Sequence, residues 1–220
     1  MKKIILSAFF LVLSQNLSAS ENYQYFTEAQ SLKGSTGYIH TFSTRVMPKN
    51  MVSFGLHRFI CGINYGFFRD FEAGLNFNLK EISSMPAFDQ PNIERKMDEV
   101  FLTSKLRILR EEEHPLDVSL GTHRDTIYLA GGKFFRNFHS ITAQGGVAWN
   151  RRETETFFAI TESLTWQQAI LEFEPEKNIC NLGWRFLLSP EMKLDLFLQD
   201  FTHISNVMFN NFIFGITIVV

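Results

Sequence analysis

The stretch His139-Ser140-Ile141-Thr142-Ala143-Gln144-Gly145-Gly146-Val147-Ala148-Trp149-Asn150 alternates between two kinds of residue. Its odd positions are His, Ile, Ala, Gly, Val and Trp; its even positions are Ser, Thr, Gln, Gly, Ala and Asn. Side chains on a strand point to opposite faces at every step, so this stretch reads as a strand with one mostly apolar face ending in tryptophan and one polar or small face. Ile141, Val147 and Trp149 are expected to face outward, and Ser140, Thr142 and Gln144 inward.

Similar stretches recur on both sides. They predict about twelve strands, near 51–59, 62–68, 71–80, 98–109, 116–122, 125–134, 139–150, 155–164, 167–174, 179–188, 191–200 and 208–220. The third alternates well, with Phe71, Ala73, Leu75, Phe77 and Leu79 against Glu72, Gly74, Asn76, Asn78 and Lys80. Leu164, Leu182 and Leu198 are expected outside. The ninth is the poorest, with Glu172 and Glu174 pointing in beside Ile170. Arg69-Asp70 and Ser189-Pro190 read as turns, and residues 81–97, with two prolines and mixed charge, as the longest loop.

The chain opens with Met1-Lys2-Lys3, then an apolar run from Ile4 to Leu13 broken only by Ser7, then Ser18-Ala19-Ser20. That is the pattern of a cleaved secretory signal peptide. The expected organisation is therefore 1–20 signal peptide, 21–49 N-terminal extended segment and 50–220 barrel. Loss of Lys2 and Lys3 removes two cations and takes the formal charge from −2 to −4, which implies no nucleic-acid partner. No later apolar run is long enough for a membrane helix. An exported chain that spans a bilayer without such helices must close its sheet, since lipid cannot satisfy open backbone groups. The 24 phenylalanines and 3 tryptophans suit lipid-facing and interfacial positions. The expected fold is all-β: an antiparallel transmembrane β-barrel of about 12 strands, in the outer membrane of a Gram-negative-type bacterium. A soluble periplasmic β-protein is the alternative that the same phenylalanines allow. Outer-membrane lipid, lipopolysaccharide and the barrel-assembly machinery are the expected partners. The final alternation from Phe212 to Val220 suits that machinery, although Val stands where an aromatic is usual.

Cys61, read at a turn, and Cys180, at a strand start, are too few for a disulfide scaffold; one bridge or two free thiols both fit. Neither has a CxxC or CxxH neighbour. His40, His57, His114, His123 and His139 lack paired spacing and read as interfacial, so no metal site or cofactor is expected.

The candidate lumen charges are Glu72, Lys105, Arg107, Asp117, Arg185, Lys193 and Asp195. They fit either a polar path for a small solute or polysaccharide, or a filled interior in which opposite charges pair across strands. Residues 21–49 are candidates to lie against the rim or enter the lumen. Arg151-Arg152 is a candidate contact for lipopolysaccharide phosphates.

Two resemblances follow from particular residues. Gly34-Ser35-Thr36-Gly37-Tyr38-Ile39, Arg45-Val46-Met47-Pro48 and Ser53-Phe54-Gly55-Leu56-His57 resemble the opening of YjbH-like outer-membrane barrel proteins. Tyr65-Gly66-Phe67-Phe68-Arg69-Asp70-Phe71-Glu72-Ala73-Gly74-Leu75 is similar to that family's next hairpin, and Pro115 to Gly121 with Tyr128-Leu129-Ala130 and Lys133 to its later strands. The resemblance implies a small, barrel-only relative with a structural or transport role in the envelope and no assigned catalytic residues. It departs at Thr41-Phe42-Ser43, where a proline is expected. Separately, His203-Ile204-Ser205-Asn206 resembles the His-x-Ser-Asn element of outer-membrane lipid A 3-O-deacylases. That likeness implies His203 as base and Ser205 as nucleophile. The acidic third member is missing, since nothing after Asp200 is acidic.

Overall fold

The computed structural model describes residues 29–31, 33, 35–79, 100–135, 140–203 and 211–220. The expected signal peptide, the expected 81–97 loop, His139, Ser205 and Met208 lie outside the described residues. The strands are β1 (Val52–His57), β2 (Ile60–Phe68), β3 (Phe71–Asn78), β4 (Val100–Leu109), β5 (Asp117–His123) and β6 (Thr126–Phe135). They continue with β7 (Ile141–Trp149), β8 (Thr154–Ser163), β9 (Gln167–Glu174), β10 (Ile179–Leu187), β11 (Met192–Leu198) and β12 (Phe212–Val219).

Each strand pairs antiparallel with its neighbours in the chain, and β1 pairs with β12, so the twelve strands form one closed barrel. The seam is completed by reciprocal bonds: the Val52 N–H donates to the Val220 carbonyl at 2.8 Å, and the Val220 N–H to the Val52 carbonyl at 2.8 Å. Closure leaves no unpaired edge. Antiparallel alternation places the turns at Arg69-Asp70 and Ser189-Pro190 at the same end as Val52 and Val220. The two longest connections, Asn78 to Val100 and Leu198 to Phe212, lie at the opposite end.

The period of two runs through the wall. In β7, Thr142, Gln144 and Ala148 are buried, while Ile141 and Val147 are half-buried and Trp149 is exposed. In β4, Val100, Leu102, Leu106 and Ile108 are exposed, and Thr103 and Lys105 are buried. The outward face is thus rich in exposed large apolar residues, Leu102 at 71%, Phe68 at 66% and Phe214 at 65% among them.

Several expectations need correcting. Leu182 and Leu198, expected outside, are buried; they pair with each other across β10 and β11, and the turn Phe201–His203 packs against β10. Leu164 is buried because β8 ends at Ser163, so the alternation no longer governs it. Cys61 is not at a turn: β2 starts at Ile60, and Cys61 pairs with Leu56. Both cysteines are free thiols. His57 is not interfacial but almost fully buried, in phase with Ser53 and Gly55 on the inward face.

The described part of the N-terminal segment, from residue 29 on, does not stay at the rim. Ser35–Thr44 are buried except for His40, which is half-buried, and the segment fills the barrel. Tyr38 and Ile39 join Ala159, Ile170, Phe197 and Ile213 in one apolar cluster. Phe42 packs with Tyr128, Ala130, Ala148 and Phe157 in another, its ring stacked on Tyr128 at 3.7 Å between centroids. Inward glycines make the room. At Gly66 a Cβ would run into the carbonyl oxygens of Pro48 and Met47, and at Gly55 into the Gln30 side chain.

Candidate functional site

The inward charges and the segment 29–47 together form the site. Two wall carboxylates hold the segment by its backbone. On β9, Glu172 accepts the N–H groups of Ile39 at 2.7 Å, His40 at 2.8 Å and Thr41 at 3.0 Å, and the Thr41 hydroxyl at 2.7 Å. Three consecutive N–H groups converging on one carboxylate make a local anion-binding nest. On β3, Glu72 accepts the Thr36 hydroxyl at 2.7 Å and the N–H of Met47 at 2.6 Å.

Two wall cations hold it by its carbonyls. Lys105 Nζ donates to Thr36 O at 2.6 Å and Arg45 O at 2.8 Å. Arg185 donates to Gly37 O at 3.1 Å and Gln30 O at 3.1 Å. Amide side chains add two more ties: Gln144 donates to Phe42 O at 2.9 Å, and Gln30 to Ser53 O at 3.0 Å. The backbone groups of an irregular segment buried inside a barrel must find partners, and the wall's polar residues supply them.

The wall charges also pair with one another. Glu72 and Lys105 face each other in the β3–β4 register, 3.3 Å apart. Arg185 and Asp195 do the same across β10 and β11 at 2.7 Å, and His57 reaches Asp195 at 2.7 Å from β1. All of Glu72, Lys105, Arg185, Lys193 and Asp195 are essentially inaccessible to solvent.

The remaining two candidates sit toward the end that holds the termini. Asp117 is buried and receives Arg45 Nε at 3.1 Å and the Glu111 N–H at 2.8 Å. Arg107 turns away from the centre and donates to Asp70 in the β2–β3 turn at 3.1 Å. Arg110 also donates to Asp70. Those hydrogen bonds, from Arg110 first and then Arg107, hold the Asp70 carboxyl below its usual range despite partial desolvation. Lys193 closes the β10–β11 turn by donating to Pro190 O at 3.0 Å. The seven residues therefore fall into three groups: two buried wall pairs, a cluster at the terminal end, and a turn contact.

The charge balance has a direction. Among the described strand residues, the inward carboxylates are Glu72, Asp117, Glu155, Glu172, Glu174 and Asp195, against the cations Lys105, Arg107, Arg185 and Lys193. Residues 29–50 carry Lys33, Arg45 and Lys49 and no carboxylate. A cationic segment sits in an acidic wall.

Sequence reasoning placed Glu172, Glu174 and Gln144 inside but gave them no role, it read His57 as interfacial, and it missed Arg45 and Gln30. The signal was present. Two acids facing a barrel interior need donors, and an acid-free basic stretch stands just ahead of the first strand.

His203 ends the short turn Phe201–His203, and Ser205 lies outside the described residues. Among the described residues no group of histidine, cysteine or acidic side chains has the arrangement of a metal site. No family model, curated protein or solved structure matches the chain.

Proposed function

We propose that the chain is an outer-membrane β-barrel of the YjbH-like type, closed internally by its own N-terminal segment. Its role is structural or transport-related in the envelope, without catalysis. The observation that carries this reading is the inversion of the barrel. Charged and amide side chains point in, while Phe54, Leu102, Phe158, Phe214 and similar residues point out and are exposed. A water-soluble barrel is favoured by the opposite arrangement, and an exterior with this many exposed large apolar side chains is costly in water. In a bilayer it is the requirement. The strands, of six to ten residues, approach the roughly 9–11 that a tilted spanning strand needs. Short turns at the end of the termini and long connections at the other match barrels whose termini are periplasmic.

Lipopolysaccharide is then the outer-leaflet neighbour of the turn Arg151-Arg152, whose side chains are exposed. A small solute or a polysaccharide is the cargo class this reading allows. The test is fractionation combined with gel mobility. The protein should remain in outer membranes after alkaline and high-salt washing, and should migrate faster unheated than boiled. Release by salt washing would return it to the soluble periplasmic class. Lipid A from cells expressing wild type or Ser205→Ala should be identical by mass spectrometry; a difference in acylation would establish an enzyme.

A further inference from the structure

We propose that residues 29–47 are a displaceable plug, and that the vacated lumen passes small cations. This rests on the membrane-barrel reading above and adds an activity to it.

Three features separate the plug from an ordinary core. First, the barrel ladder is complete without it. Every strand pairs on both sides. The bridges described within the segment are its own, Gln30 with Thr36 and Gly37 with Phe42. Departure of the plug breaks no strand pairing.

Second, the wall keeps its own charge pairs. Glu72 with Lys105, and Arg185 with Asp195, are direct cross-strand neighbours whose contacts do not pass through the plug. Each wall cation that holds a plug carbonyl already has a wall carboxylate. Water entering the lumen would replace the plug's carbonyls and N–H groups as hydrogen-bonding partners, while the ion pairs remain. A core built only for stability gains nothing from that redundancy.

Third, the fit is electrostatic. The plug brings Lys33 and Arg45 and no carboxylate into a wall with six inward carboxylates and four cations among its described strand residues. Arg45 sits on Asp117 at 3.1 Å, and the nest of three N–H groups sits on Glu172. Removing the plug leaves the carboxylates of Asp117 and Glu172 without these donors. A lumen with excess negative charge concentrates cations and excludes anions. The plug occupies the positions a permeant cation would take.

The test uses the full chain with Cys61→Ser and Cys180→Ser, carrying Thr44→Cys and Gly132→Cys as a lock. A Cβ at Gly132 would stand 3.2 Å from Thr44 Cγ2 and 3.0 Å from its Oγ1, a spacing that suits a disulfide between plug and β6. Ile39→Asp is added to eject the plug. It sets a carboxylate beside Glu172 in an apolar cluster while leaving the wall unchanged. Conductance is read in planar bilayers under a potassium chloride gradient.

The oxidised protein should be silent. The reduced Ile39→Asp protein should show open time raised by about tenfold or more over the reduced protein without that change. Its reversal potential should be displaced toward the potassium equilibrium value. Thr36→Asp, beside Glu72, is the second ejecting variant.

Silence of both reduced variants, with heat-modifiable mobility intact, would overturn the plug proposal and leave the membrane reading standing. So would anion selectivity, or equal conductance oxidised and reduced. Failure of both ejecting variants to form a barrel would also overturn it, because the segment would then belong to the folding core. Absence of the wild type from the outer membrane would instead remove the reading on which the proposal rests.

Discussion

Glu172→Gln is the sharpest perturbation of the plug's attachment. Oε1 accepts three donors, the N–H groups of Ile39 and Thr41 and the Thr41 hydroxyl, at 2.7, 3.0 and 2.7 Å. Oε2 accepts the His40 N–H at 2.8 Å and the Asn181 amide at 3.4 Å. A glutamine serves this site best with its oxygen among the first three donors. Those bonds lose their charge assistance, about 0.5–1 kcal/mol each. The new NH2 group then confronts the His40 N–H, which is left without its acceptor at a cost of about 1–3 kcal/mol. Relief of the buried charge's desolvation offsets part of this. The net effect on plug attachment is about 3 kcal/mol, or roughly a hundredfold in the fraction of time the segment is detached. Hydrogen exchange read by mass spectrometry on peptides covering residues 36–45 measures it. Exchange there should speed up by about two orders of magnitude, while β4 to β8 keep their wild-type protection. Unchanged protection at 37–42, or an equal loss across the wall strands, would refute the account of how the plug is held.

Three other substitutions probe the same architecture. Gly66→Ala forces a methyl against the Pro48 and Met47 carbonyls and should lower stability by about 1–3 kcal/mol in urea unfolding of the refolded barrel. Arg185→Met takes from the buried Asp195 its guanidinium partner, leaving the His57 contact, and should cost about 3–5 kcal/mol; the double variant Arg185→Met with Asp195→Leu should cost less than the sum of the two single changes. Asp70, with its carboxyl held below the usual range by Arg110 and Arg107, adds stability that is fully present above the unfolded carboxylate value of about 3.9 and is lost as the pH falls through the lower folded value. Melting temperatures between neutral and strongly acidic pH should therefore drop less in Asp70→Asn than in wild type; an identical acid-induced drop would discount the turn.

The barrel was legible because period two is a local signal. Alternation in β3, β4 and β7 is visible without knowing which strands pair, and closure was the expectation for strands taken to cross lipid, where open edges are not allowed. The seven charges could be put on the inward face for the same reason. Their partners could not be read, because pairing Glu72 with Lys105 or Arg185 with Asp195 depends on strand register. The filled lumen was the least visible part. Residues 29–47 have no periodicity, and their order comes from hydrogen bonds to residues far along the chain, Glu172 being 133 positions from Ile39. Leu182 and Leu198 misled for a related reason: they pair with each other across β10 and β11, and the turn Phe201–His203 lies against β10, a tertiary arrangement that alternation cannot register.

The central claim is that the barrel's apolar face meets lipid while its polar face meets the plug. Cysteine substitution at each position from Thr142 to Trp149, in the Cys61→Ser, Cys180→Ser protein, tests it in native outer membranes. Each site is labelled with a small fluorophore and exposed to a quencher confined to the bilayer. Positions 143, 145, 147 and 149 should be quenched, and positions 142, 144, 146 and 148 should be insensitive. Labels that escape the quencher along the whole strand, or that show no period of two, would contradict the account.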